Sequence, residues 1–336
     1  MTQAARQFFK KLTAVLTGNM NMKKCLADQC LFGRKTDKGS ILIAIYIDDT
    51  LCVGKQAAID ELKADLAKYF STKEEGPLNE YVGCEVIRDG KSKIFMSQQV
   101  LLKKLERTFG SIVNKLPVYN THKGTDFRVE RCVDAENRIS NEKQSFYRSG
   151  IGMLLFLVKF SRPDISNSVR ELSKANDGAT EKHFRGLLRT VKYVLDTKQK
   201  ALMYRTSDKL ETVWKLKAFC DSDFAGDKET RRSVSGYCIY LFDCLIAWRS
   251  KGQKHATSSS TETEYVAVSD VCCETMFIRM ILWFLGIKIK LPIVVHCDNV
   301  GAIFLSYNAK ISQRTKHIDT KYIGMLENGY KTELSR

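Results

Sequence analysis

The residues with the greatest chemical capacity are carboxylates set against apolar runs. In ILIAIYIDDTLCVG, residues 41–54, Asp48 and Asp49 interrupt what otherwise reads as a buried strand. A strand, a tight turn and a second strand would leave both acids at the tip of a hairpin while the strands are covered. Further on, KAFCDSDFAGD carries Asp221, Asp223 and Asp227 at a strand end, SSSTETEYVAV carries Glu264 at a helix start, and LPIVVHCDN ends a strand with Asp298. Carboxylates fixed on rigid backbone act as hard oxygen ligands or as acid–base groups. Each also has an ordinary explanation. Asp is a common turn residue, Thr261 and Glu264 fit a T-x-x-E capping box, and Asp298 or Asn299 suits the cap of the short helix that follows.

The elements that must position these acids can be read from periodicity. Around the first pair, QAAIDELKADLAKYF repeats Ile59, Leu62, Leu66 and Tyr69 at helical spacing. EYVGCEVI and SKIFMS flank the turn signal RDGK, which predicts a hairpin, and QQVLLKKLERTF reads as a helix. Residues 111–141 are polar and irregular. Three helices follow, around 143–160, 164–175 and 180–196, with Pro163 opening the second. Phe184, Leu187, Leu188, Val191, Val194 and Leu195 make one apolar face on the third.

From about residue 211 strands return as KAFCDSD, SGYCIYLF and LIAWRS, then a helix from Thr261 to Leu285, then PIVVHCD. This β-β-β-α-β order predicts an α/β domain, with a boundary near 198–210 at TKQKALMYRTSDK. In the first strand Trp214, Leu216, Ala218 and Cys220 alternate with Lys215, Lys217, Phe219 and Asp221. Asp221 and Asp223 share a face, so parity does not choose between them. In the helix, Val268, Val271, Thr275, Ile278, Leu282 and Leu285 form the stripe that packs on a sheet, and Glu264 lies one turn earlier on that stripe. One acid ends the first strand, one opens the long helix and one ends the fourth strand, and in an α/β sheet such points converge at one end.

Composition narrows the partners. The chain has 336 residues, enough for about two domains. A net charge of +16 points to a polyanion, with nucleic acid first, because lysines and arginines on phosphates release counterions. The eleven cysteines include no C-x-x-C pair and no Cys/His cluster at zinc spacing. Their odd number and the lack of a secretory leader predict reduced thiols in an intracellular protein, with cytoplasmic particle and nucleus not distinguished. GMLLFLVKF and MILWFLGIKI are too short for a bilayer, which takes ~20 residues. The five histidines do not cluster in sequence, and neither a nucleophile elbow nor a Gly-rich phosphate loop is present.

Four ordered segments carry a specific resemblance: ADQCLFGRKTDKGSILIAIYIDDTLCVG, YVGCEVIRDGKSKIFMSQQVLLKKLERTFG, YRSGIGMLLFLVKFSRPDI and HFRGLLRTVKYVLDTK. In order, they resemble the Ty1/copia class of retrotransposon Pol polyproteins, and YIDD resembles the Y-x-D-D hairpin of reverse transcriptases. The resemblance implies that Asp48 and Asp49 help to hold Mg²⁺, Asp48 as the main ligand. It implies that residues 1–200 are a partial reverse transcriptase, with a palm hairpin over 31–97 and a helical thumb and connection over 98–200. Nucleotide incorporation is not expected from this chain alone, because a further palm aspartate and the fingers would precede Met1.

The later segments DSDFAGDKETRRSVSGY, SSSTETEYVAV, HCDNVGAI and RTKHID resemble the RNase H domain of the same class. That likeness implies an RNase H-like domain over 211–330, with a mixed sheet and helices. It implies metal ligands at Asp221, Glu264 and Asp298 and cleavage of the RNA strand of an RNA–DNA hybrid with Mg²⁺, or Mn²⁺ in its place. The domain is expected to lack its last strand and the helix bearing a fourth aspartate, with Asp319 only a substitute candidate. The expected partners are an RNA–DNA hybrid or other nucleic acid and the rest of a Pol polyprotein, with no membrane. Arg231, Arg232, Arg314 and Lys316 are candidate nucleic-acid contacts, as against solvated turns. The competing expectation is a catalytically inactive nucleic-acid-binding remnant.

Overall fold

A computed structural model of the chain describes residues 2–47, 49–90, 92–119, 129–130, 134–205, 213–227, 229–307 and 330–334. Asp48, Arg314, Lys316 and Asp319 lie outside these residues. Runs of strands and runs of helices are mixed along the chain in an α/β fold. Two compact units form, one of Met1–Val82 with Met276–Ile289 and one of Gly83–Thr275 with Lys290–Arg336.

The first unit begins with helix α1 (Thr2–Ala14), followed by strands β1 (Lys23–Lys24), β2 (Leu31–Thr36), β3 (Gly39–Tyr46) and β4 (Asp49–Gly54), helix α2 (Gln56–Ala67) and a short strand β5 (Glu80–Tyr81). Strands β1 to β4 make an antiparallel sheet in sequence order. Period-two alternation in β3 turns Ile41, Ile43 and Ile45 inward, where Phe32, Leu12, Leu16, Ala58 and Leu62 join them in one core. That core holds the β3–β4 hairpin and so sets the position of its turn.

The second unit contains the hairpin β6 (Cys84–Asp89) and β7 (Lys93–Ser97), helices α3 (Gln99–Val113), α4 (Asn141–Phe160), α5 (Ser166–Ser173) and α6 (Glu181–Asp196), and strand β8 (Leu202–Arg205). The helical periodicities hold. Phe184, Leu187, Leu188, Val191 and Val194 are buried with Phe109, Tyr147, Ile151 and Leu157 in a core shared by the four helices. Gly150 lets the helices approach, since a Cβ there would stand 2.8 Å from the Phe109 ring and 2.9 Å from Leu187. Pro163 opens a 3₁₀ turn, Pro163–Ile165, ahead of α5. The segment read as a boundary is partly a strand: β8 pairs with β7, Phe95 opposite Met203.

The remaining elements are β9 (Leu216–Asp223), β10 (Val234–Leu241), β11 (Cys244–Gly252), α7 (Ser260–Phe284), β12 (Ile293–Cys297), α8 (Val300–Tyr307) and β13 (Tyr330–Leu334). The sheet order is β11-β10-β9-β12-β13, with the first three antiparallel and β12 parallel to both β9 and β13. The sequence reading ended this sheet one strand early. Tyr330–Leu334 pairs along the whole of β12, from Ile293 opposite Tyr330 to Cys297 opposite Leu334. Its stabilisation comes from pairing with a distant strand, which short-range periodicity does not report. Burial follows the predicted alternation in β9, with Leu216, Ala218 and Cys220 inward and Lys217, Phe219 and Asp221 outward. The sheet is tied to the helices of the same unit by Trp248 Nε1, which donates to the Val158 carbonyl at 2.8 Å.

Candidate active site

The parallel pairing of β9 with β12 brings two of the acids together. Their register sets Phe219 opposite His296. Two residues further along both strands, the same register sets Asp221 beside Asp298. β12 ends at Cys297 and β9 at Asp223, so the carboxylates stand near the carboxyl ends of adjacent parallel strands, where open α/β sheets place their ligands. Both side chains are exposed. Asp223 takes another course: its carboxylate lies against Gly226 of the β9–β10 loop, in the space a Cβ there would occupy. Of the two acids that parity left open, Asp221 is in electrostatic contact with Asp298.

Glu264 completes the group from α7. It is buried, as are Val268, Val271 and Thr275 on the same helical stripe. The capping-box explanation does not hold for it. The helix is capped two residues earlier, where Ser259 Oγ accepts from the Glu262 amide at 3.2 Å and the Glu262 carboxylate accepts from the Ser258 amide at 2.7 Å. Glu264 reaches the sheet instead, its Oε1 accepting from the Ser222 amide at 3.0 Å and from the Ser222 hydroxyl at 2.6 Å. The cap explanation for Asp298 fails in the same way, because Asn299 Oδ1 accepts from the Ala302 amide at 2.9 Å and caps α8. Neither acid is occupied by helix termination.

The electrostatics show three acids repelling one another. Burial pushes the Glu264 carboxyl above the usual carboxylate range; the Ser222 hydrogen bond works against this and the charges of Asp221 and Asp298 add to it. Asp221 is raised by burial, then by Asp298. Concentrated negative charge of this kind favours protons or a cation. Among the described residues, one group of three potential metal ligands meets: Glu264, Cys297 and Asp298, whose ligand atoms all lie within 4.8 Å of one another. Cys297 was not foreseen as part of the site. Its Sγ donates to Glu264 Oε2 at 3.9 Å, and the sequence signal was its place next to Asp298 on a buried strand. The oxygen donors suit a hard cation such as Mg²⁺, whereas the thiol is a soft donor and belongs to the wall.

The hairpin acids are less enclosed. Tyr46 pairs with Asp49, and Asp49 is exposed at the start of β4. Ile47 occupies the left-handed region at φ 58°, which is unusual for a β-branched residue. Asp49 and Asp28 raise the Tyr81 hydroxyl after burial, so two acids share this neighbourhood. Arg231 and Arg232 are exposed on the β9–β10 loop. Among the described residues no helix is long and apolar enough to cross a membrane.

Residues 1–120 match the family described as reverse transcriptase (RNA-dependent DNA polymerase). The chain is 31% identical over 326 residues to the retrovirus-related Pol polyprotein from transposon TNT 1-94 of Nicotiana tabacum, covering 96% of this chain and 24% of the relative. It is 31% identical over 323 residues to the corresponding polyprotein from transposon RE1 of Arabidopsis thaliana, covering 96% of this chain and 21% of the relative. An uncharacterized mitochondrial protein of Arabidopsis thaliana is 30% identical over 236 residues, covering 69% of this chain and 92% of the relative. The chain thus spans about a quarter or less of the Pol polyproteins it matches.

Proposed function

We propose, for a chain that belongs to the Pol polyproteins of Ty1/copia-type retrotransposons, that the carboxylate site of its second unit cleaves the RNA strand of an RNA–DNA hybrid in an RNase H-like reaction. One observation carries this reading. Glu264 is released from helix capping and held by Ser222 beside Asp221 and Asp298, at the ends of two parallel strands. The sheet order, three antiparallel strands followed by two parallel ones, supports the same assignment.

Asp221, Glu264 and Asp298 would hold divalent cations of the Mg²⁺ type. The fit rests on their oxygen donors and on a mutual repulsion that a cation relieves. When bound, such cations supply charge stabilisation to the attacking and leaving oxygens at a phosphate. The chain's own residues do the positioning. Both Ser222 donors engage Oε1 of Glu264 and leave Oε2 turned toward Cys297 and Asp298. Cys220 and Cys297 lie beneath as buried residues that exclude water from the inner side. The net charge of +16 favours the polyanionic substrate. The first unit's hairpin, with Asp48 and Asp49, is read as part of a polymerase palm, and helices α3 to α6 of the second unit as thumb and connection.

The test is cleavage of a labelled RNA–DNA hybrid with Mg²⁺ or Mn²⁺, beside Asp298→Asn and Glu264→Gln. RNA-strand cleavage that needs the cation and both carboxylates is expected. Hybrid binding with no cleavage by folded wild-type protein would leave the chain as a non-catalytic nucleic-acid binder.

A further inference from the structure

The thiol beside the carboxylates has a chemistry that the cleavage reading does not use. Cys297 is the last residue of β12 and is fully buried. Its Sγ faces Glu264 Oε2 at 3.9 Å, and the ligand atoms of Cys297, Glu264 and Asp298 all lie within 4.8 Å of one another. Glu264 is buried and Asp298 is exposed, so the group is closed on its inner side and open on the other. Glu264 and Cys297 stand 33 positions apart, so no zinc spacing in the sequence announces them.

Toward a hard cation the thiol is only wall, because Mg²⁺ takes oxygen ligands. Toward a borderline cation such as Zn²⁺ it is a strong donor. Zn²⁺ lies ~2.3 Å from sulfur and ~2.1 Å from oxygen, which at a tetrahedral angle spaces the two donors by ~3.6 Å. The 3.9 Å between Sγ and Oε2 needs a contraction of only ~0.3 Å to reach that spacing. Asp298, at the surface, has room to turn inward. Ser222 engages Oε1 of Glu264 and leaves Oε2 for the ion. Two donors face the sulfur, the Asn299 amide and the Cys220 thiol. Such partners orient a metal-bound ligand from behind. Asp221 is not in the group, so an ion drawn to the sulfur uses Glu264 and Asp298 without it.

We propose that Cys297, Glu264 and Asp298 form a site for a thiophilic divalent cation of the Zn²⁺ class, with water in the fourth position, and that this ion excludes the hard cation and blocks cleavage. On binding, the bond from Zn²⁺ to sulfur replaces the S–H bond of Cys297, the proton leaves to solvent, and nothing is oxidised or reduced. The block rests on the RNase H-like reading above; the site does not.

The test is titration of the metal-free full chain with Co²⁺, a spectroscopic stand-in for Zn²⁺, followed by Zn²⁺ in competition with a chromophoric chelator. Wild-type protein should give a sulfur-to-cobalt charge-transfer band that saturates at a single equivalent, is removed by Zn²⁺ and survives an equal concentration of Mg²⁺. Cys297→Ser should abolish the band. Asp298→Asn should weaken Zn²⁺ binding by more than ~10-fold, the least that a supporting residue costs. No band from folded wild-type protein overturns the proposal, as does a band that persists in Cys297→Ser, since another thiol would then hold the ion. Equal Zn²⁺ affinity in wild type and Asp298→Asn also overturns it, and this comparison stands even if Cys297→Ser does not fold. In hybrid cleavage with excess Mg²⁺, stoichiometric Zn²⁺ should stop the reaction, and a chelator selective for zinc should restore it. Cleavage that continues with Zn²⁺ bound overturns the block. Absence of cleavage in Mg²⁺ alone sinks the earlier reading and the block with it, while the Co²⁺ spectrum still decides the site.

Discussion

Removing a carboxylate from the site should make the cation-free protein more stable. The perturbation is Asp298→Asn, which deletes one charge and keeps the shape. Glu264 and Asp298 offer oxygens within 4.8 Å of each other. Two unit charges at that separation repel by about 3.5 kcal/mol at an effective dielectric of about 20. Asp298 is exposed, so solvent screening reduces this to about 1 kcal/mol. No helix cap is lost, because Asn299 serves α8. The assay is thermal unfolding in EDTA, where the variant should melt about 2 °C above wild type. The gap should narrow as ionic strength rises. With Mg²⁺ added the order should reverse, since wild type gains by ligand linkage what the variant has lost. A variant that melts below wild type in EDTA would refute the claim that these acids oppose each other. Equal gains from Mg²⁺ would refute the claim that Asp298 binds the cation.

Three further outcomes follow from other parts of the fold. Ile47 is exposed and held at φ 58°, so Ile47→Gly should stabilise the first unit by about 1 kcal/mol in urea unfolding. Gly150→Ala should cost about 1–3 kcal/mol by the same measurement, because its Cβ meets Phe109 and Leu187 inside normal contact distance. Arg162, 2% exposed, donates twice to the Asp164 carboxylate and once to the Thr197 hydroxyl; Arg162→Met strands that acid and should cost about 3–5 kcal/mol. The same pair sets an acid limb. Burial pushes Asp164 up, but Arg162, Tyr193 and Lys200 together hold its carboxyl below the usual value. Its contribution is therefore complete above about pH 4 and lost as pH falls through the lower folded value. Circular dichroism during acid titration should show this limb in wild type and a flatter one in Arg162→Met.

Much of the local structure was legible in the residues. The stripe of α6, the alternation in β9, the β6–β7 hairpin and the start of α5 after Pro163 each depend on neighbours a few positions away, and each appears where the pattern put it. The stretch SSSTETE shows where local reading stops. It contains two S/T-x-x-E spacings, Ser259 with Glu262 and Thr261 with Glu264, and both have the chemistry of a cap. Only the presence of Ser222 on a strand far away decides that the second glutamate turns to the sheet. β8 and β13 were missed for a related reason: short strands owe their existence to a partner strand, and Leu202–Arg205 has no internal period that separates it from a linker.

The sequence by itself determined which residues carry charge, which faces of its helices and strands are apolar, and therefore which acids stand at element ends. Tertiary structure decided which of them meet. Asp221 and Asp298 are neighbours because β12 runs parallel to β9 in one register, and a shift of one residue would turn Asp298 to the opposite face. The meeting of Cys297 with Glu264 is likewise a property of packing, since one stands on β12 and the other on α7. Periodicity and capping are written within a few residues, whereas a site assembled across long loops depends on contacts whose partners the chain finds only in the folded state.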